Sequence, residues 1–459
     1  MRSRPGLAEV LKEIESVAVV GASPKPGKVG NVVLRNILEY GFKGRVYPVN
    51  PRHVEILGLK AYPNISSLPE PPDLVVVAVP TKAVPAVLGE ASSKGVKLAV
   101  VITSGFREAG NEEAERRLRE VVESSKLRVV GPNSAGITLT ALNLHASIEV
   151  APSRGSVGLA MQSGAMGGVV MHRLRNLSSG VSFFISLGNM ADVSINDVFE
   201  YALEDGRTEA LVAYVEWVKE GRRFIELGGR LAAEKPLCIL KGGRGGRSSE
   251  AVRSHTGGLA GNYAVFREAV RKIGAYLAED VPDLVEVCEA LRRLGSLPGK
   301  RVLIVTNSGG LGVVTASRLE EHGLEIPRVP EALGRRLAEE AGKTFTGSNP
   351  VDFGGDASID QVIRSLTVEE VRRYYDVAVF VYVPTAAESA SEIAGTVEKY
   401  APASSVPLIT YFDGEGCEEV ARQVSKHAVV VTNATNAAKA IRALVERGSL
   451  LKRLKGGQQ

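Results

Sequence analysis

Residues 19–31 read VVGASPKPGKVGN: the end of an apolar run, a turn of small residues and prolines, then the opening of a helix. A buried strand that turns through glycine into a helix is the unit of a parallel α/β sheet. Working outward, VAVVGAS (17–23), RVYPVNP (45–51), DLVVVAVP (73–80), LAVVITSGF (98–106) and RVVGPNSAG (128–136) read as buried parallel strands. Between them EEAERRLREVVESS (112–125) carries Leu118, Val121 and Val122 on one face of a helix. A second series follows at GSVGLAMQSG (155–164), VSFFISLG (181–188), ALVAYVEW (210–217) and PLCILKGG (236–243). It closes with helical DLVEVCEALRRLGSLPGK, whose Gly295, Pro298 and Gly299 read as a linker. A third runs through RVLIVTNSGG (301–310), YDVAVFVYVP (375–384) and PLITYFDG (407–414) to the polar tail LKGGQQ. The rhythm predicts an α/β chain of three doubly wound domains, at 1–145, 146–297 and 298–459.

The bulk numbers agree. The chain has 459 residues, 44% hydrophobic and 24% charged, with 49 glycines and only 5% aromatics. Glycine stands above the usual ~7%, which suits many tight turns near ligands. A net charge of +4, evenly spread, gives no reason to expect nucleic acid, and no stretch interleaves basic with aromatic residues. Cys238, Cys288 and Cys417 are far apart and form no CxxC pair, so they read as small buried apolar residues. No apolar run reaches the ~20 residues of a membrane span, and the start lacks a signal-peptide core. The expected location is cytoplasmic.

One device recurs: strand, small-residue turn, helix start. It falls at Gly21-Ala22-Ser23, at Gln162-Ser163-Gly164 and at Asn307-Ser308-Gly309-Gly310. Each leaves free backbone N–H groups at a helix N-terminus, where an anion binds. The first departs from the GxGxxG of a dinucleotide site, because Ser23-Pro24-Lys25-Pro26 fills the tight-turn position. Its longer loop, with Lys25 and Lys28, suits a phosphate-rich nucleotide such as CoA; NAD is the rival ligand, and a plain strand-to-helix turn the bland alternative. VPTKA (79–83), ITSGF (102–106) and GPNSAG (131–136) fall on the same sheet edge. The densest signal is GGRGGRSSEAVRSHTGGLAGN (242–262), with seven glycines, three arginines and one histidine in 21 residues. Imidazole is a nucleophile available near neutral pH, so His255 on this segment is a candidate phosphoryl acceptor, or else a structural histidine. Glu216, a carboxylate directly after an apolar run, either orients that imidazole through its other ring nitrogen or is a surface acid. No metal site is expected; Asp352 and Asp356 in GSNPVDFGGDAS (347–358) read as structural or solvated, with metal binding the alternative.

VVGASPKPGKVGN, ITSGF, GPNSAG, MQSGAMGG, the SHTGGLAGN block, TNSGGLG and NPVDFGGDA occur in this order. In this the chain resembles the α subunit of ADP-forming acetyl-CoA synthetase, also called acyl-CoA synthetase (NDP-forming), of the succinyl-CoA synthetase superfamily. The resemblance implies an N-terminal Rossmann-like CoA-binding domain followed by two flavodoxin-like ligase domains. It implies that His255 is phosphorylated and that Glu216 stabilises it. Gln162, Ser163, Gly164 and Ala165 would form one phosphate-binding helix start, and Ser308, Gly309 and Gly310 a second. Gly21, Ser23, Lys25 and Lys28 would hold CoA, with Pro80, Lys82, Ser104 and Asn133 nearby. Many relatives read GPNCLG where this chain has GPNSAG, and GGPG where it has Gly309-Gly310-Leu311-Gly312. CoA and inorganic phosphate are the ligands this resemblance implies for the chain. ATP or ADP and Mg²⁺ would sit on an ATP-grasp β subunit, in an α2β2 assembly. The overall reaction would be acyl-CoA + ADP + phosphate to acid + CoA + ATP. A non-catalytic CoA- or NAD-sensing regulatory subunit is the alternative.

Overall fold

The computed structural model describes residues 4–248, 261–386 and 388–456. It divides into two compact units. The first comprises Met1–His172 and Gly180–Glu279, the second Arg173–Ser179 and Asp280–Gln459.

The first unit holds two sheets. In one, five parallel strands lie in the order Arg45–Val49, Ser16–Val20, Leu74–Val77, Leu98–Val101, Arg128–Val130. All are the runs expected from the sequence. Their side chains sort by the period of two: Val17, Val19, Leu74, Val76, Leu98 and Val100 enter one apolar cluster, Ala18, Val20, Val75, Val77, Ala99 and Val101 another. Both faces are covered, which is why these strands are apolar throughout rather than alternating. Chain order reverses between Ser16–Val20 and Leu74–Val77. That is a topological switch point, beyond whose carboxyl ends ligands bind in open α/β sheets.

The second sheet has seven strands, in the order Tyr276–Ala278, Leu237–Lys241, Ala210–Val215, Arg154–Met161, Val181–Ser186, Gly136–Leu139, Leu144–Ser147. Five are parallel. The last two form an antiparallel hairpin whose first strand pairs with Val181–Ser186. This sheet too reverses order, between Arg154–Met161 and Ala210–Val215.

The second unit holds a third five-stranded parallel sheet, in the order Val351–Asp352, Val302–Thr306, Val377–Tyr382, Leu408–Phe412, Val429–Val431. Its switch point lies between Val302–Thr306 and Val377–Tyr382. The helix Val281–Leu294 is pinned to the start of the final helix, Ala434–Gly456. Buried Glu286 accepts from Thr432 N (3.0 Å), Thr432 Oγ1 (2.8 Å) and Asn436 Nδ2 (2.8 Å), while Lys439 Nζ lies 3.2 Å from the Asp283 carboxylate. No helix among the described residues is long and apolar enough to cross a membrane.

Candidate functional site

At the switch point of the first sheet, Val20 leads into Gly21, at φ +91°. A Cβ there would come within 2.3 Å of the Ala78 carbonyl oxygen, so only glycine lets the turn pass this strand end. Gly21 N donates to Val49 O (3.0 Å), and Ala78 N to Val20 O (2.8 Å). The loop that follows is organised by Ser23: its Oγ accepts from Lys25 N (3.1 Å) and its carbonyl from Asn31 Nδ2 (2.9 Å). Lys25 and Lys28 are exposed, and Lys28 is the cap of the helix Val29–Tyr40. Two cations therefore stand at a helix N-terminus over a glycine-made gap, which fits a polyphosphate.

The neighbouring strand ends close on this turn. Pro80 and Lys82 are exposed around a 3₁₀ turn, Thr81–Ala83. Thr81 Oγ1 donates to the carbonyl of exposed Ser104 (2.8 Å). Asn133 N donates to Thr103 O (2.9 Å), and Asn133 takes a left-handed φ of +58°. The predicted CoA residues thus fall on one carboxyl edge of one sheet.

At the switch point of the second sheet stand Gln162 and Glu216, both 3% exposed. Gln162 Oε1 accepts from Glu216 N (2.5 Å) and Trp217 N (3.0 Å), and its Nε2 donates to Trp217 O (2.6 Å) and the Met190 sulfur (3.3 Å). The amide is therefore fully engaged in tying two strand ends together. Ser163 stands before the helix Gly164–Asn176, its Oγ accepting from Met166 N at 3.4 Å; Ala165, in the first turn, is exposed.

Around Glu216 two side chains close in that the sequence reading did not single out. The Tyr214 hydroxyl lies beside the Glu216 side chain, both close against Gly242; burial, then the Glu216 charge, pushes its pKa well above the usual tyrosine value. Lys241, 4% exposed, donates to Glu216 O (2.7 Å) and to Gly242 O. Burial pulls its pKa down, against the Glu216 charge, which raises it; the nearby Arg244 charge lowers it further. At Gly242 a Cβ would stand 2.5 Å from the Tyr214 hydroxyl and 3.2 Å from Glu216 Cγ, so a side chain there would break into the pair. A lysine ending an apolar strand immediately before Gly242-Gly243 was the available signal. Trp217 lies under the Arg107 guanidinium, 5.2 Å from its ring. His255 and Arg253 lie outside the described residues. Arg244 does not: it reaches the Ala278 carbonyl and lies over the Tyr263 ring.

In the second unit Asn307 ends its strand as Gln162 does. Its Oδ1 accepts from Val383 N (2.9 Å) and its Nδ2 donates to Val383 O (2.9 Å), across the switch point of the third sheet. Ser308 caps the helix Gly309–Glu321, with its N–H on Thr306 Oγ1 (2.9 Å); Gly310 is exposed. The Asp352 carboxylate lies beside Gly309, 2.6 Å from where its Cβ would stand. Asp356 pairs with Lys343 (2.7 Å). Among the described residues no group of three or more His, Cys, Asp or Glu could hold a metal ion.

Two family models match these parts: a CoA binding domain over residues 15–140 and a succinyl-CoA ligase like flavodoxin domain over 154–291. Fold and site thus define an α/β chain that sets a CoA-binding domain ahead of a succinyl-CoA-ligase-type domain. The chain is 38% identical to the α subunit of acetate–CoA ligase [ADP-forming] I of Pyrococcus furiosus, over 76% of this chain and 77% of that one. It is 38% identical to acetate–CoA ligase [ADP-forming] I of Archaeoglobus fulgidus, over 81% of this chain and 54% of that one. The chain thus spans about half the length of the latter, and of the Methanocaldococcus jannaschii relative (49%). Its structure matches the dinucleotide-forming acetyl-coenzyme A synthetase 1 of Ca. Korarchaeum cryptofilum, in complex with phosphate and ADP. The TM-score is 0.88 at 32% identity, covering 98% of this chain and 99% of that one. The chain belongs to the ADP-forming acetate–CoA ligase family.

Proposed function

We propose that this chain is the catalytic α component of an ADP-forming acyl-CoA synthetase that interconverts acyl-CoA, ADP and phosphate with acid, CoA and ATP. The observation that carries the reading is the end-to-end match, 98% of this chain on 99% of the acetyl-coenzyme A synthetase chain. It favours catalysis over a regulatory, CoA- or NAD-sensing role.

The chemistry follows from the residues. Gly21, Ser23, Lys25 and Lys28, with Pro80, Lys82, Ser104 and Asn133, form the CoA site of this proposal. Phosphate attacks the thioester carbonyl; the C–S bond breaks, CoA leaves as the thiol, and an acyl phosphate remains. The neutral imidazole of His255 attacks phosphorus, the P–O bond to the acyl group breaks, and the free carboxylate departs. A phosphoryl oxygen of ADP then attacks the phosphohistidine, giving ATP and free histidine. Little covalent work beyond positioning and charge stabilisation is required. The fixed helix N-terminus at Ser163-Gly164-Ala165 serves that purpose without mobile charges; the second unit carries a like helix start at Ser308-Gly309-Gly310. Glu216 receives the imidazole N–H and stabilises its positive charge, and Gln162 contributes by bracing Glu216 rather than by touching phosphate. The nucleotide and Mg²⁺ belong, in this proposal, to an ATP-grasp β partner in an α2β2 assembly; the α-subunit names of the Pyrococcus relatives support a partner. A cytoplasmic site of action and a division into three domains belong to the same proposal, the latter supported by the three separate sheets. The expected bounds 1–145, 146–297 and 298–459 shift, because the hairpin of Gly136–Leu139 and Leu144–Ser147 pairs into the second sheet and the helix Val281–Leu294 lies in the second unit.

The test is chemical. The chain, with its partner, is incubated with acetyl-CoA and labelled phosphate, and acid-labile, base-stable label is measured in the wild type and in His255→Ala. Label present in the first and absent in the second is expected. CoA binding without label in the wild type would return the reading to a sensor.

A further inference from the structure

In the function proposed above Glu216 is the carboxylate that stabilises the phosphohistidine, and a carboxylate is useful in that part only if it is held in one orientation. Two side chains close on Glu216 from two strands. Tyr214, two residues back on its own strand, brings its hydroxyl beside the side chain: a Cβ on Gly242 would stand 2.5 Å from that hydroxyl and 3.2 Å from Glu216 Cγ. Lys241, at the carboxyl end of the adjacent parallel strand, donates to the Glu216 carbonyl at 2.7 Å and to the Gly242 carbonyl. Its ammonium lies 5.6 Å from the centre of the Phe266 ring, a cation–π placement that leaves it little room to move. The strand register sets Val215 opposite Lys241, so one lysine clamps both strand ends at the residue where the Gly-rich segment begins. Gly242 packs against Tyr214 and Glu216 too closely for any side chain. Burying an ammonium is costly unless its hydrogen bonds are met. Here backbone carbonyls and a ring meet them, and the charge stays beside Glu216.

We propose that Tyr214 and Lys241 are positioning residues that fix the Glu216 carboxylate at the root of the Gly-rich segment for phosphoryl transfer through His255. The inference rests on the reading of Glu216 and His255 given above. Neither residue touches phosphate; each acts through Glu216, so their effects must depend on its being there.

The experiment is a double-mutant cycle on the assembled enzyme, reading single-turnover formation of acid-labile phosphohistidine from acetyl-CoA and labelled phosphate. Tyr214→Phe is nearly isosteric and keeps the core filled. Tyr214→Phe and Lys241→Met should each slow the step roughly ten- to hundredfold, the scale of one polar contact involving a charged group. CoA affinity and the half-saturating phosphate concentration should not move, which a merely structural defect would not spare. In a Glu216→Gln background the further loss from Tyr214→Phe should largely disappear. Equal losses in both backgrounds, or an unchanged rate in Tyr214→Phe while Glu216→Gln is impaired, would overturn the proposal. A wild-type enzyme that forms no phosphohistidine sinks the functional reading itself, and this inference with it; label in the wild type separates the two failures.

Discussion

One residue type recurs at the places where these sheets are ready to bind something. Gln162 and Asn307 both follow the last residue of a strand that borders the switch point of its sheet, and both turn a carboxamide sideways onto the backbone across it. At a switch point two adjacent strands send their connections to opposite faces, so a gap opens with unpaired backbone groups on its far side. A carboxamide offers an acceptor and a donor at the right spacing to meet both. A phosphate-binding part for Gln162 followed from its place in a small-residue turn. Its engagement with residues 216 and 217 could not be read locally, because the partner lies 54 residues away. Gln162→Leu should therefore act as a structural lesion with a functional consequence. It strands two N–H groups, of buried Glu216 and half-buried Trp217, at a cost of about 1–3 kcal/mol each at most. The denaturation midpoint should fall accordingly, and phosphohistidine formation with it, whereas CoA affinity at the other sheet should be kept. A variant of wild-type stability would show that the bridge is dispensable.

At the scale of elements, the long apolar strands were legible because burial on both faces leaves a continuous Val/Ile/Ala run, as in SVAVV and LVVV. Edge elements were not. Gly136–Leu139 and Leu144–Ser147 carry Thr138 and His145, and their polar atoms pair with each other across the hairpin (Thr138 Oγ1 to His145 Nδ1, 2.7 Å). Tyr276–Ala278 has three residues, too few to show a period. The helix Ile195–Glu204 was hidden for another reason: its start is fixed from a distance. Asp197 completes a capping box with Ser194 (N to Oδ2, 2.8 Å), and it also receives Arg128 (3.1 Å), whose guanidinium pairs with Asp192 (3.0 Å). Burial raises the Asp197 pKa, but the Ser194 hydrogen bonds and Arg128 outweigh it and hold the carboxyl below its ordinary value. The unfolded chain thus takes up this proton before the native one does. The contribution is full above the ordinary carboxylate pKa of about 3.9 and is lost as pH falls through the native value. Asp197→Asn should cost about 1–3 kcal/mol near neutral pH, and the gap from wild type should narrow in urea titrations as the pH is taken below about 4. A gap that is constant with pH would assign the loss to packing instead of charge.

At the scale of the molecule, ligand linkage can be read separately for one unit, because the chain has a single tryptophan, Trp217, and it lies in the first. That unit's larger core is continuous through both of its sheets: Val17, Val76 and Leu98 belong to the same apolar cluster as Phe183, Leu211 and Ile239, with Trp217 packed against it. The second unit has its own cluster, built on Leu303, Val305, Phe380 and Leu408. A ligand that binds only the native first sheet stabilises everything that unfolds with it. CoA at a hundred times its dissociation constant should add about 2.7 kcal/mol, and raise the midpoint followed by tryptophan emission by roughly 5 °C for a unit of this size. Because Trp217 sits at the second sheet, that shift would report that the two sheets melt as one. Calorimetry, which records both units, should show the same gain in the transition that carries the fluorescence change. Lys25→Ala with Lys28→Ala should leave the ligand-free midpoint in place, since both side chains are exposed, and shrink the gain at a fixed CoA concentration. A gain that survives the double substitution would move the CoA phosphates off this loop. Firm CoA binding with no change in tryptophan-monitored unfolding would mean that the first sheet opens independently of the second, despite the core they share.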